Sequence, residues 1–320
     1  MKLETLGHAG MLLSDDDGAP LLLTDPWLIG STYWRSWWLQ NYPTAEKLDQ
    51  LARVKYAYIT HEHPDHFHPP ALRRLGAGPQ YLCPDLPENR IEQFLTEKGF
   101  KIDHLKKLEW RALTERVRVL SIPLWNDDSV LLVDTPTAFI VNLNDSKPSK
   151  ANLRRIRKFI DAEVPAEKTR IALASYSPAS LVNSFMRDTE RVSMKQKADY
   201  VRDTSEVCDI LGAEYFMPFA SQVVFLRTDS EWANAFKVTM EDMRKNWSAK
   251  AELLNPYSQI DLETREHTYT APEDYNEDWR SQLEKIAANE ASPATSCPST
   301  SPPWRSSSRP AARTCRSRWT

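Results

Sequence analysis

Residues 59–70 read ITHEHPDHFHPP and place His61, His63, His66 and His68 within eight positions, with Asp65 among them. The whole chain holds seven histidines. Imidazole nitrogen and carboxylate oxygen are the donors that zinc and iron take from proteins, so this stretch is a candidate metal-binding loop. In the order H-x-H-x-D-H, His61 and His63 can point to one side of a loop while Asp65 and His66 reach the other. That arrangement suits two neighbouring ions. Solvated histidines in a surface loop are the bland alternative, and so many within eight residues argue against it.

The elements that would position such a loop can be read from the same sequence. YAYIT, just before it, is a buried strand, and open α/β sheets carry their chemistry beyond the carboxyl ends of strands. Pro64 restrains the turn. Short apolar runs at 20–25, 54–60, 116–124, 129–134, 138–145 and 170–177 read as strands. Helical periodicity marks 90–99, 151–164 and 193–213, the last with Ser193 as cap and Gly212 at its end. Mixed strands and helices without an internal repeat predict an α/β layered sandwich. None of the eight glycines builds a GxGxxG or a P-loop, which argues against a nucleotide-binding Rossmann half.

Composition narrows the class further. Of 320 residues, 41% are hydrophobic and 27% charged, with a net charge of −3 and a pI near 6.2, which gives no basic field for nucleic acid. No apolar stretch approaches the roughly 18 residues of a membrane span, and the N-terminus does not read as a signal peptide. The expectation is a cytoplasmic protein without a membrane partner. The cysteines at 83, 208, 297 and 315 show no paired spacing, so this sequence offers no ligand set for a Rieske or other iron–sulfur cluster. Residues 290–320 are rich in Ser, Pro and Arg and poor in aliphatic side chains, and read as a disordered tail after a domain spanning 1–289.

HEHPDH is similar to the HxHxDH signature of the metallo-β-lactamase fold, which implies an αββα four-layer sandwich. GHAG at 7–10 and LLLTDPWL at 21–28 resemble the opening hairpin of that superfamily, and the resemblance implies that Asp25 supports the metal-binding loop from behind. NLNDS at 142–146 resembles the strand end that delivers a metal-bridging aspartate, here Asp145. More narrowly, DPWLIGSTYWRSWW, HEHPDHFHP, NDDSVLLVD, NLNDSKP and YFMPFAS resemble the corresponding domain of CMP-N-acetylneuraminate hydroxylases and their bacterial relatives. The resemblance implies metal ligands His61, His63, Asp65, His66 and Asp145, holding one or two divalent ions of iron or zinc. The sequence departs from the hydrolytic members of the superfamily at two places. No histidine shortly precedes SVLL at 129–132, where Asn126, Asp127 and Asp128 could supply an oxygen in place of the missing imidazole, and none stands near YFMPFAS, His267 alone lying on its C-terminal side. Asp127 and Asp128 read first as turn acids, and His8 either lines the site or packs in the hairpin. No pattern ties His267 to the site.

Two chemistries are open to these ligands. Two histidines and one carboxylate with free positions suit non-haem iron(II), and His61, His63 and Asp145, or Asp65, His66 and Asp145, supply such a set. That is the leading expectation: an oxygenase, hydroxylase-like, acting on a small polar metabolite, with electrons from a separate ferredoxin or reductase. The alternative is a dinuclear hydrolase of an ester, lactone, amide or phosphoester, with Asp65 as the catalytic base that orients water. A non-catalytic binding module is the third reading, weakened by the cost of burying idle ligands. The stretch 30–43, read as a loop, holds Trp34, Arg35, Trp37 and Trp38, a candidate substrate rim or else a packing cluster. Tyr176, Ser177 and Phe219–Gln222 follow strand-like runs and read as strand ends.

Overall fold

The computed structural model describes residues 1–270, apart from 89, 126, 179–194 and 229. The chain opens with β1 (Lys2–Leu6), β2 (Gly10–Ser14), β3 (Pro20–Thr24), β4 (Ser31–Thr32) and β5 (Trp37–Leu39), then α1 (Ala45–Leu51). β6 (Tyr56–Tyr58), α2 (Pro69–Leu75), β7 (Gln80–Pro84), α3 (Arg90–Glu97) and β8 (Lys101–Leu105) follow. Next come β9 (Arg111–Ala112), β10 (Arg118–Pro123), β11 (Ser129–Asp134), β12 (Ala138–Asn142), α4 (Lys150–Glu163) and β13 (Thr169–Ser175). The remainder runs α5 (Lys197–Leu211), β14 (Tyr215–Phe219), β15 (Val223–Phe225), a 3-10 turn at Glu231–Phe236, α6 (Met240–Asn246), β16 (Glu252–Leu253), β17 (Ser258–Asp261) and β18 (His267–Tyr269).

Among the described residues these strands form three sheets. The first is ordered β18-β17-β1-β2-β3-β6-β7-β8, the second β16-β14-β13-β12-β11-β10-β9, and the small third β15-β5-β4. Strand alternation explains how the two large sheets pack. In β2, Met11 and Leu13 join the core between the sheets, while Leu12 turns outward to α1 and α2. In β11, Leu131 and Val133 point inward and Val130 and Leu132 pack under α4, α5 and α6. Strands buried on both faces need continuous apolar runs, which is what GMLLS, PLLLT and AFIVN are. Helices on both outer faces complete an αββα four-layer sandwich, as the sequence predicts.

Local signals account for the helix ends. Ser149 Oγ accepts from Asn152 N at 3.2 Å and caps α4. α5 stops at Gly212, whose φ of +65° is left-handed. Its start differs from expectation. Ser193 lies outside the described residues, and the helix begins at Lys197, where the Asp199 carboxylate accepts from Gln196 N at 3.2 Å.

The stretch 30–43 is not a loop. β4 and β5 form a hairpin, with Ser31 opposite Trp38, and β15 adds a third strand by placing Val224 opposite Trp38. This corrects the rim expectation for Trp38, which is buried against Val224 with its indole Nε1 donating to Arg35 O at 2.8 Å. At the hairpin tip Tyr33, Trp34 and Arg35 have φ of +49°, +53° and +67°. Three consecutive non-glycine residues in the left-handed region are strained by about 1–2 kcal/mol each. The turn holds Trp34 out in solvent, 85% exposed.

Candidate metal centre

The site lies where the carboxyl ends of β3, β6 and β12 meet the turn between β1 and β2. Asp25, just after β3, is fully buried and has three partners. Its Oδ1 accepts from Thr60 N at 2.8 Å, and its Oδ2 accepts from Thr60 Oγ1 at 2.8 Å and faces His66 Nδ1 at 2.9 Å. A carboxylate on Nδ1 keeps a proton there and leaves Nε2 as the nitrogen facing the site, the one that would give its lone pair to a cation on losing its own proton. The floor is polar as well. Tyr58 OH lies 2.7 Å from Ser129 Oγ and 3.0 Å from Ser121 Oγ, and Ser129 Oγ donates to Thr60 O at 2.8 Å. This chain joins the two large sheets directly beneath the histidine loop.

Asp145 comes from the second sheet. Asn144, at φ +44°, accepts through Oδ1 from Asp145 N and Ser146 N and donates Nδ2 to Ser129 O at 2.7 Å. The Asp145 carboxylate is thereby held between two groups of donors. Its Oδ1 is 3.8 Å from His61 Nε2, and its Oδ2 is 3.6 Å from His66 Nε2. His63, exposed on the loop, brings Nδ1 to 2.8 Å from the same His61 Nε2. Asp65 Oδ2 faces His66 Nε2 at 3.5 Å and His8 Nε2 at 3.2 Å, while Asp65 Oδ1 accepts from Tyr33 OH at 2.7 Å. His61, His66 and Asp145 each offer a donor atom within 4.8 Å of the others, and so do His8, Asp65 and His66.

Charge in this cluster is strongly perturbed. Burial alone would favour neutral His66, but the carboxylates of Asp145, Asp65 and Asp25 outweigh it and hold the imidazole well above its usual range. Burial raises Asp65 and Asp145, yet the facing histidines pull both below the usual carboxylate range. Burial, aided by the charge of His66, pushes His61 down to about 3. Asp128 is pushed up to about 8 by burial and by the charge of Asp145. His66 Nε2 and Asp145 Oδ1 are buried without a hydrogen-bond partner, as are both ring nitrogens of His8. Buried orphan donors at this density fit a divalent cation, which would take the lone pairs that no protein hydrogen serves.

The structure sorts the sequence candidates. His61, Asp65, His66 and Asp145 converge, and His63 stands beside His61. His68 serves another purpose: its Nδ1 accepts from Ala71 N at 3.3 Å and caps α2, and burial holds it down at about 4. Asp128 is a buried acid with Oδ1 3.4 Å from His61 Nδ1, whereas Asp127 is exposed at φ +58°. Asn126 lies outside the described residues. His267, in β18, pairs with Glu252 at 3.4 Å away from the centre. Trp34 and Arg35 are exposed; Trp37 is half-buried against Tyr33 and Phe225, with ring centroids 4.6 and 5.3 Å away. Tyr176, Ser177 and Ser221 are buried, with Ser221 Oγ accepting from Tyr176 N and Ser177 N at 3.1 and 3.2 Å. Trp125, 92% exposed three residues before Asp128, escaped notice because a lone tryptophan carries no spacing signal.

Sheets, helices and histidine loop together define a protein of the metallo-β-lactamase fold. A possible metal-dependent hydrolase from Veillonella parvula superposes with a TM-score of 0.56 at 13% identity, over 82% of this chain and 99% of that one. An isothiocyanate hydrolase from Delia radicum gut bacteria gives 0.54 at 15% identity, over 85% and 100%. No family model matches the chain. By sequence it is similar to cytidine monophosphate-N-acetylneuraminic acid hydroxylases: 35% identical over 112 residues to that of Asterias rubens, covering 32% of this chain and 16% of the relative. The Sus scrofa protein is 39% identical over 112 residues, covering 32% and 25%. A protein named as a putative Rieske 2Fe-2S iron–sulfur protein, from Mycolicibacterium smegmatis, is 30% identical over 161 residues, covering 46% and 30%. The chain thus spans less than a third of the length of these relatives. No described helix is long and apolar enough to cross a membrane.

Proposed function

We propose that the chain is a metal-dependent enzyme of the hydroxylase type, acting on a small polar metabolite with electrons from a ferredoxin or reductase. The observation that carries the reading is Asp145, whose two oxygens face His61 at 3.8 Å and His66 at 3.6 Å and so suit a carboxylate bridge between two ions. His61, His63 and Asp145 would hold one ion, and Asp65, His66 and Asp145 the other. A bound ferrous ion would supply the dioxygen activation that no side chain provides. Sequence likeness supports the oxygenase over the hydrolase, since the hydroxylases are 30–39% identical over about a third of the chain and the hydrolase structures 13–15%.

The residues of the chain have distinct tasks in this reading. Asp25 holds His66 with Nε2 facing the centre, and Tyr33 donates to Asp65 and keeps that carboxylate turned toward His66. With Oδ1 engaged by Tyr33, Asp65 serves as a ligand through Oδ2 rather than as a free base. Exposed Trp34 and Arg35 offer a ring face and a cation to a polar substrate. In the overall balance one atom of dioxygen enters a C–H bond and the other leaves as water, with two electrons and two protons taken up. Cysteines 83, 208, 297 and 315 are too scattered to carry a two-iron cluster, so the electrons come from outside this sequence.

The test is metal content, by mass spectrometry of untagged protein purified without added metal, beside an Asp145→Ala variant. It is paired with reductant-dependent oxygen uptake in the presence of nucleotide-linked sugars. Iron present in the parent, lost in the variant, and oxygen uptake above the substrate-free rate support the hydroxylase. Zinc in the parent, with turnover of a lactone or phosphodiester under nitrogen, overturns it in favour of the hydrolase.

A further inference from the structure

His8 sits in the turn between β1 and β2, far in sequence from the histidine loop, and is 1% exposed. Neither of its ring nitrogens makes a hydrogen bond. A buried imidazole with both nitrogens unserved forfeits the hydration of two polar atoms, which costs about 1–3 kcal/mol per group unless something else takes the lone pair. Three rings surround it, with centroids 5.8 Å away for Trp27, 6.3 Å for Trp37 and 5.5 Å for His66. Within this cage Nε2 faces Asp65 Oδ2 at 3.2 Å.

We propose that His8 is a ligand of the second metal ion, in a site formed with Asp65 and His66, the three offering donor atoms within 4.8 Å of one another. Spacing supports this. Four ligands around a tetrahedral ion with bonds of about 2.0–2.1 Å stand roughly 3.3 Å from one another. The edges within this set are His8 Nε2–Asp65 Oδ2 at 3.2 Å and His66 Nε2–Asp65 Oδ2 at 3.5 Å, and His66 Nε2 stands 3.6 Å from Oδ2 of Asp145, the carboxylate facing both His61 and His66. Hydrogen-bonded pairs would close to about 2.7–3.2 Å, and two of the three stand clear of that range.

The backbone is built to hold His8 there. Gly7 has φ +58°, and a Cβ on it would meet Trp27 O at 3.0 Å. Across the cleft Ala220, after β14, donates its N–H to His8 O at 2.9 Å. That loop carries no imidazole, and its backbone fastens the turn whose imidazole faces the centre. The inference rests on the two-ion reading of the site, and the two fail in different ways.

The experiment strips the full chain with a chelator, titrates it with cobalt(II) and counts ions by native mass spectrometry and by visible absorption. Parent protein, His8→Gln and His61→Ala are compared, with circular dichroism to establish that each is folded. The expected result is two ions for the parent and one tight ion for His8→Gln, with the second weakened at least about tenfold. Two ions of unchanged affinity in His8→Gln overturn the role of His8 and leave the metal centre standing. No ion in the parent overturns both. A second readout needs no variant: in parent protein carrying 15N-histidine, zinc must move the His8 Nε2 resonance, and an unmoved resonance beside shifted His61 and His66 overturns the proposal.

Discussion

His66 is the residue on which most of the site's electrostatics converge. Its metal-free imidazole is held above 6.5 by Asp145, Asp65 and Asp25 against the opposing effect of burial. A group raised in this way contributes stability in full below 6.5, and loses it as pH rises through the folded value. Asp65 and Asp145 are lowered from 3.8, so their contribution is present above that pH and lost as pH falls. His61 and His68, lowered to about 3 and about 4, cost stability as pH falls below 6.5, and Asp128, raised to about 8, costs it as pH rises from 3.8, so metal-free protein should melt highest in a narrow window near pH 6.5. Metal affinity should run the other way above that window, rising up to tenfold per pH unit because the ion must displace the His66 proton. Thermal melts of chelated protein and zinc titrations from pH 5 to 9 check both trends; parallel trends would contradict the charge assignment. Much of this residue scale was legible in the sequence, since HEHPDH, Asp25 and Asp145 are marked by spacing or resemblance. His8 and Asp128 stood in the sequence as open alternatives, site or packing for the one and ligand or turn acid for the other, whereas Tyr33 was not legible, because its proximity to Asp65 is created by folding.

At the scale of elements, the turn between β1 and β2 matters more than its length suggests. Gly7→Ala would place a Cβ against Trp27 O on a left-handed backbone. We expect a loss of more than about 1 kcal/mol in denaturant unfolding, and weaker uptake of the second ion because His8 is displaced. An unchanged midpoint would show that the turn has room to relax. Strands and helices with strong periodicity, such as β11, β12, α3 and α4, were legible to within a residue or a few at each end. The small third sheet was not. STYWRSWWLQ is aromatic without an alternating polar face, so it reads as a loop until β15, nearly two hundred residues later, supplies the strand that pairs with Trp38. Short helices such as α1 and α6 escaped because seven residues hold barely two turns of pattern.

For the whole molecule, the four-layer architecture followed from mixed strands and helices together with the resemblance, whereas strand order required the structure. The domain boundary remains a prediction from composition. A chain ending at residue 289 should keep the melting temperature and metal content of the 320-residue protein, since the remaining stretch is poor in aliphatic side chains. A fall of several degrees would place part of that stretch in the fold.

The centre draws on both large sheets: His8, Asp25 and His61–His66 arrive with the first, Asp128 and Asp145 with the second. During synthesis at about 5–20 residues per second, the ribosome delivers Asp145 roughly 4–16 s after His66. Through that interval the nascent chain displays a histidine-rich loop with no bridging carboxylate and no second sheet to shield it. Metal captured then would be held as by an unstructured peptide, open to exchange and to the wrong ion. Faithful loading would have to wait until the second half has docked, which would make the pace of translation a determinant of which metal the chain acquires.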